Sequence, residues 1–336
     1  MIKRLARCLR EYKWTALVSP LAMIGEVAME VSIPLVMADL YDYGIAAKNM
    51  NVVVEKALLL MLCAVVSLSF GVLSATYASK AATGFAKNLR HDMYYRVQEY
   101  SFANIDKFSS ASIVTRLTSD VANLQMAFQM SIRMAVRCPI MLILAMASSL
   151  RISPKLSTVY FVAIPILALV LLGIVPMVFK IFDRVFQTYD KLNNVVQENV
   201  HGIRVVKSFV REDKEVDKFT AISQAIYRDF SKAEHILAVN APAMQICVYV
   251  CILTISWVGA HLVVASGNNA AMGLTTGELS SMFTYTTQIL TSLMMLSAVF
   301  VMSIMARAPM RRCYEILEEE PSITSPEKAL KEVQDG

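Results

Sequence analysis

Four stretches of the chain run for more than twenty residues without a charged side chain, at positions 57–78, 156–179, 236–266 and 279–306. An apolar helix of about 20 residues crosses the roughly 30 Å hydrocarbon core of a bilayer. Two further stretches, 15–38 and 126–150, are as apolar but carry embedded charges: Glu26 and Glu30 in the first, Arg133 and Arg137 in the second. The pattern predicts six membrane-spanning helices. The connections between them alternate in length. Those at 39–56, 151–155 and 267–278 are short, whereas 79–125 and 180–235 are long.

Loops of that length inside a compact protein are functional or are not loops. Ile113, Leu117, Val121, Leu124 and Phe128 recur at three- and four-residue steps, as do Leu192, Val196 and Val200 beyond Phe182 and Tyr189. That is the spacing of one helical face. Gly84 and Gly202 are the only glycines in either segment, and proline is absent from both. Spans two to five are therefore expected to continue as helices for about 30 Å beyond the membrane. They would reverse at the polar stretches 101–112 and 209–219. The fold class expected is an all-α membrane protein, six transmembrane helices with long cytoplasmic helical extensions.

Composition agrees with that class. Of 336 residues, 56% are hydrophobic and 18% charged, against about 45–50% and 25% in soluble domains. Lys and Arg fall unevenly: five lie before the first span, six and ten in the two long connections, and five after the sixth, whereas the short connections hold four. By the positive-inside rule both termini are cytoplasmic. The net charge of +5 is thereby a topology signal, and nucleic acid is not needed to explain it. Residues 1–14, with Leu5, Leu9 and Tyr12 at helical spacing, suit a short amphipathic helix along the inner membrane surface. The six cysteines form no CxxC pair or zinc spacing. Cys247 and Cys251 share a helical face, which packing explains better than metal. His261, near the outer end of span five, is best explained as an interfacial polar residue.

Polar groups at membrane depth usually face protein or water. Glu26 and Glu30 share one face of the first span. They either line a cavity and attract cationic substrates or pair with Arg137. Counting the rise per residue, Arg137 reaches Glu26 and hardly Glu30, so Glu30 is the stronger candidate for function and Glu26 for structure. Gln245, Tyr249, Gln288 and Met294 are further cavity candidates, Met294 from a methionine-rich sixth span.

The ordered motifs resemble the transmembrane half of an ABC exporter of the multidrug type, most like one chain of a bacterial heterodimeric transporter. Residues 89–125 resemble its first cytoplasmic loop, with a Thr-Arg-Leu-Thr-x-Asp-Val run at 115–121. Residues 195–219 resemble the second, around Glu-x-x-x-Gly-Ile-Arg-Val-Val-Lys at 198–207. LTTGELSSMFTY at 274–285 resembles the entry to the sixth span, and RAPMRRCYEILEEEPSI at 307–323 the exit toward a motor domain. At the first turn this chain departs from the family, with Ser112 where a glycine is usual.

The resemblance implies a domain 15–308 with two coupling helices and a linker 309–336 toward a nucleotide-binding domain. Phe102, Asn104, Ile105 and Asp106 would make the first coupling contact, and Arg211, Glu212, Asp213, Lys214 and Asp217 the second. It also implies a second half-transporter as partner, a heterodimer being favoured. ATP and magnesium would be bound by nucleotide-binding domains, and the place would be the bacterial inner membrane. The phosphate-cradling GxxxxGK[ST] pattern does not occur in the 336 residues, so ATP hydrolysis is not expected of them alone. A fragment of a longer chain and a motor on a separate polypeptide both fit. The competing reading is a six-span ion-coupled secondary transporter or channel. Such proteins often repeat Gly/Pro-interrupted spans, and the prolines here form no repeated pair.

Overall fold

The computed structural model describes residues 1–268 and 273–322, and no strand occurs among them. The main helices are α1 (Ile2–Arg7), α2 (Lys13–Asp39), α3 (Met50–Gln98), α4 (Phe102–Phe108), α5 (Ser110–Thr115), α6 (Val121–Ile152), α7 (Pro154–Ser208), α8 (Glu212–Ala238), α9 (Asn240–Ser266), α10 (Thr276–Met305) and α11 (Arg307–Glu318). Short 3₁₀ or π turns join several of these. The result is six continuous helical segments long and apolar enough to cross a membrane: Arg10–Ala46, Met50–Gln98, Ser110–Ile152, Pro154–Ser208, Glu212–Ser266 and Thr276–Glu318.

Length carries the main architectural fact. At 1.5 Å per residue, the 49 residues of α3 span about 74 Å and the 55 of α7 about 82 Å. A bilayer core uses about 30 Å of that, so the helices run on well past it. The expected connection 39–56 is mostly helical too, because Leu40–Ala46 continues α2 as a π-helix. The second reversal is also tighter than the polar stretch 209–219 suggests. α8 starts at Glu212, so only Phe209–Arg211 turn. Acidic residues at the first turn of a helix favour its N-terminus, and Glu212, Asp213 and Glu215 begin α8 rather than extend a loop.

The chain forms two compact units. The first comprises 1–148, 276–281 and the described residues from 295 onward; the second comprises 149–275, in its described part, and 282–294. In the first, α2 lies along α3 through small residues, as membrane helices pack when no solvent drives them together. Ser19 Oγ donates to the Ser74 carbonyl at 3.0 Å. A Cβ on Gly71 would sit 3.3 Å from the Glu26 carboxyl carbon, and one on Gly84 would clash with the Tyr12 ring.

The N-terminal segment does not lie free along a membrane surface with its apolar face in lipid. Leu5 and Cys8 are buried in a core with Phe85, Leu89, Met93, Cys313 and Ile316, and Asn88 Nδ2 donates to the Cys8 carbonyl at 2.9 Å. Protein takes the apolar face that a lipid surface was expected to take. The second unit packs Ala163, Leu167 and Leu171 of α7 against Val248 and Cys251 of α9 and Leu290 of α10. Farther along, Ile181 and Val185 pack with Ile226 and Ala233 of α8. Residues 309–318 of the expected linker lie in α11, and its remainder from 323 lies outside the described residues.

Candidate functional site

Three places gather the residues singled out from the sequence. The first is an ionic cluster between α2 and α6. Arg137 donates through Nη1 to Glu26 Oε1 at 2.7 Å and through Nη2 to Glu30 Oε2 at 2.6 Å. Counting helical rise undervalued its reach to Glu30. A guanidinium is a planar fork with two outward Nη groups, and here they bridge carboxylates one helical turn apart. The other Glu26 oxygen is buried with no hydrogen-bond partner, as is Nε of Arg133. Two carboxylates thus share one guanidinium, in a setting where removing a charge partner is costly.

The second place is the tip of the first hairpin. Ser101 caps α4 through a capping box with Asn104. Asn104 is itself buried and fully engaged. Its Nδ2 donates to Glu319 Oε1 at 3.1 Å and to the Glu320 carbonyl at 3.0 Å, and its Oδ1 accepts from the Ser322 amide at 3.1 Å. Lys107 Nζ donates to both Glu319 oxygens at 2.9 and 2.8 Å. This hydrogen bond, with Asn104 adding to it, holds the Glu319 carboxyl below its ordinary pKa.

The end of α11 is capped in the same region. The last carbonyls of a helix lack partners within it; here Tyr100 Oη donates to the Ile316 carbonyl and Arg4 to the Leu317 carbonyl, each at 2.8 Å. Burial pushes the Tyr100 phenol up to about 12, so it stays a donor. One level back, Arg312 grips the buried Asp120 carboxylate at 2.7 and 2.6 Å, and Arg116 reaches Glu315 at 3.0 Å. Of the four first-tip candidates, Asn104 and Ile105 face inward, whereas Phe102 (88% exposed) and Asp106 face out.

The third place is the second tip. Phe209 and Val210 are 74% and 80% exposed, and Val210 turns the chain with φ +50°. That backbone region is an outlier for a β-branched residue, and such strain clusters at functional sites. Below the tip the helices are joined by the pairs Lys207 to Glu212 at 3.0 Å and Lys218 to Glu198 at 2.8 Å and by Asn199 Nδ2, which donates to Glu215 Oε2 at 2.9 Å. Asp213, Lys214 and Asp217 belong to the first turns of α8, and Arg211 is its cap residue. The sequence points to these charges, and the structure sets two large exposed apolar residues, Phe209 and Val210, directly before them.

The other cavity candidates fall in the second unit. Gln245 and Tyr249 are exposed on α9, whereas its Val248 and Cys251 are buried. Gln288 has its amide oxygen buried without a partner, and Met294 is half-buried. Cys247 hydrogen-bonds the Ala163 carbonyl at 3.9 Å, and no metal-binding group occurs among the described residues.

Residues 17–293 match the family model of the ABC transporter transmembrane region. The chain is 28% identical over 312 residues to the uncharacterized ABC transporter ATP-binding protein YfiB of Bacillus subtilis, covering 93% of this chain and 53% of that one. It is 25% identical to the uncharacterized ABC transporter ATP-binding protein Rv1273c of Mycobacterium tuberculosis, over 97% of this chain and 55% of that one. An ATP-dependent lipid A-core flippase of Desulfotalea psychrophila is 24% identical over 84% of this chain and 49% of that protein. The chain spans about half the length of the curated relatives it matches. It belongs to the ABC transporter transmembrane family, which removes the reading as an ion-coupled secondary transporter or channel.

Proposed function

We propose that this transmembrane chain is the membrane half of an ATP-driven exporter that moves amphipathic, drug-like compounds by alternating access. Peptides and lipids are further cargo classes, and the name of the flippase relative favours lipids among them. One observation carries the reading: helices that run far past span length end in tips bearing large exposed apolar residues, Phe102 and Phe209–Val210. Such side chains in water call for a docking partner. Nucleotide-binding domains are that partner, and ATP and magnesium belong to them; no residue of this chain is assigned to either. The transporter would pair this chain with a second half, different in sequence, in the bacterial inner membrane, with both termini cytoplasmic. Glu26, Glu30, Gln245, Tyr249, Gln288 and Met294 would line the substrate path. Glu26 and Glu30 would supply the attraction for cationic substrates, with Arg137 shared between them.

The test is transport by the whole transporter in inside-out vesicles. The double charge reversal E212K/D213K should abolish ATP-dependent dye accumulation while expression and ATP hydrolysis persist. Normal transport by that variant overturns the coupling assignment.

A further inference from the structure

A cavity of about 560 Å³ opens between the N-terminal segment, α3 and the end of α11, and four arginines line it: Arg4, Arg7, Arg10 and Arg96. Two acids answer them. Arg10 pairs with Asp92 at 2.5 Å, and Arg96 with Glu99 at 2.8 Å. Arg4 donates to a neutral acceptor, the Leu317 carbonyl, and Arg7 pairs with no acidic side chain among the described residues. Two positive charges are left over at the cavity wall.

Another part of that wall is aromatic. His91 and Tyr95 line the same cavity one helical turn apart on α3, and their rings stack with centroids 4.3 Å apart and planes at 26°. His91 takes one face of the Tyr95 ring, yet Tyr95 is 61% exposed, so the other face is open to a planar group. Nucleobases of every kind stack on such faces. The place excludes lipid. Counting from Ala78, where the charge-free stretch ends, Asp92 to Arg96 lie about 21–27 Å farther along the helix. With both termini cytoplasmic, as proposed above, the cavity opens to cytoplasmic water. Its volume is that of a small-molecule site.

We propose that this cavity binds a cytoplasmic nucleoside monophosphate, with the base on Tyr95 and the phosphate between Arg7 and Arg4. A phosphate monoester carries a charge of about −1.5 to −2 at pH 7, which the two surplus cations match. Leu5 and Cys8 fix the segment in the protein core, so the backbone that carries Arg4 and Arg7 does not have to be ordered when the ligand arrives. The site rests on the cytoplasmic orientation under the proposed function and does not depend on export or on any cargo. Arg4 also caps the exit helix through Leu317, so nucleotide occupancy and that cap share a residue.

The experiment is photolabelling of the whole transporter in detergent with an azido derivative of adenosine monophosphate, followed by peptide mapping. Saturable label is expected on the α3 peptide that holds His91 and Tyr95, displaced by unmodified adenosine monophosphate. Tyr95→Ala should raise the half-saturating probe concentration about tenfold, and Arg7→Gln about fivefold. Tyr95→Phe should leave it unchanged, and so should Arg228→Gln, which changes an exposed arginine of α8. Tyr95 and Arg7 are both exposed, so neither variant removes a core residue. No label on α3, or labelling unchanged in either Tyr95→Ala or Arg7→Gln, overturns the proposal. Displacement by adenosine as effective as by its monophosphate overturns it too, since the phosphate would then go unread. Equal displacement by inorganic phosphate would assign the cavity to a free anion and overturn the nucleotide reading. Inside-out vesicles should label and right-side-out vesicles should not. The reverse would support the cavity and overturn the orientation, which keeps the two failures apart.

Discussion

The two hairpin tips share a design and differ in what holds them. Each turns at the end of helices far longer than a membrane span, and each exposes a phenylalanine, Phe102 in one and Phe209 in the other. The first tip is tied to the exit segment by Asn104, Lys107, Tyr100 and Arg96, which bind residues from Ile316 to Ser322. The second tip's two helices are joined to each other by surface ion pairs, of a kind worth about 0–1 kcal/mol each, and by the Asn199–Glu215 hydrogen bond, with apolar packing farther along. The first is therefore held to the exit segment through Ser322, while the second is held by its own two helices. The resemblance makes both turns coupling helices and would suggest equivalent levers, whereas the contacts tie one to the exit segment and join the other to its own two helices.

Breaking the first attachment at its most buried point should have the largest effect. Arg312→Ala leaves the Asp120 carboxylate buried without its bidentate partner. Orphaned charges of this kind cost about 3–5 kcal/mol. A clear fall in the thermal unfolding midpoint of the detergent-solubilised transporter is expected, with first-hairpin amides exchanging faster. No shift would mean that this end of the chain is not anchored by the pair.

Asn104→Ala comes next. It removes an N-cap partner, worth about 1 kcal/mol, and three half-buried hydrogen bonds to the exit segment, each worth about 0.5–1.5 kcal/mol, part of which solvent recovers. The exit should become a protease target near Glu319–Ser322 while the six spans stay intact. Cleavage elsewhere, with this segment still protected, would show that Asn104 does not hold it.

Much of this architecture was legible in the sequence because it rests on two strong signals, apolar length and helical periodicity. The six spans, the long extensions and the approximate reversal points all follow from them. The attachments were not legible. Asn104 to Ser322 is a contact across 218 positions, and neither residue type nor spacing announces it. The Arg137–Glu30 pair was misjudged for a related reason: a count of rise along one helix carries no information about where the neighbouring helix places its fork. The buried faces of Leu5 and Cys8 were missed because an amphipathic pattern is the same whether protein or lipid covers it.

At the second tip the sign reverses. Val210 holds φ +50°, which costs an L-residue about 1–2 kcal/mol, and glycine there would lose about 0.5–1 kcal/mol to unfolded-chain entropy. Val210→Gly should thus stabilise the protein by about 0.5–1 kcal/mol in thermal unfolding, and by removing an exposed apolar side chain it should also weaken transport. Greater stability with unchanged transport would take Val210 out of the docking surface.

A smaller effect should follow from pH. Glu319 is held below its ordinary pKa, chiefly by Lys107, so its folded value lies under the unfolded one. Its contribution is then present above the unfolded value near 4.5 and lost as pH falls through the folded one. Since Lys107 is largely exposed, the loss should stay well under 1 kcal/mol. Melting curves between pH 5 and 3.5 should show a decline that is reduced in Lys107→Met. An undiminished decline would assign the pH dependence to other carboxylates.

The smallest expected effect is the sharpest test of the comparison. Ser101 and Ser322 hydroxyls touch directly, so S101C/S322C should close a disulfide between the first tip and the exit segment. Cys8 and Cys313 are buried, and burial with Asp92 nearby raises the Cys8 thiol to about 11; a thiol so seldom ionised competes poorly for the oxidant. If tip and exit form one body throughout the cycle, the bond constrains nothing that moves, and ATP-dependent transport by the oxidised whole transporter should equal that of the reduced one. If the two separate during the cycle, oxidation should arrest transport and added reductant should restore it. Arrest would mean that the first tip is a lever like the second, released at one stage and held at another, and the contrast between the two hairpins would then describe one conformation of the protein and not its construction.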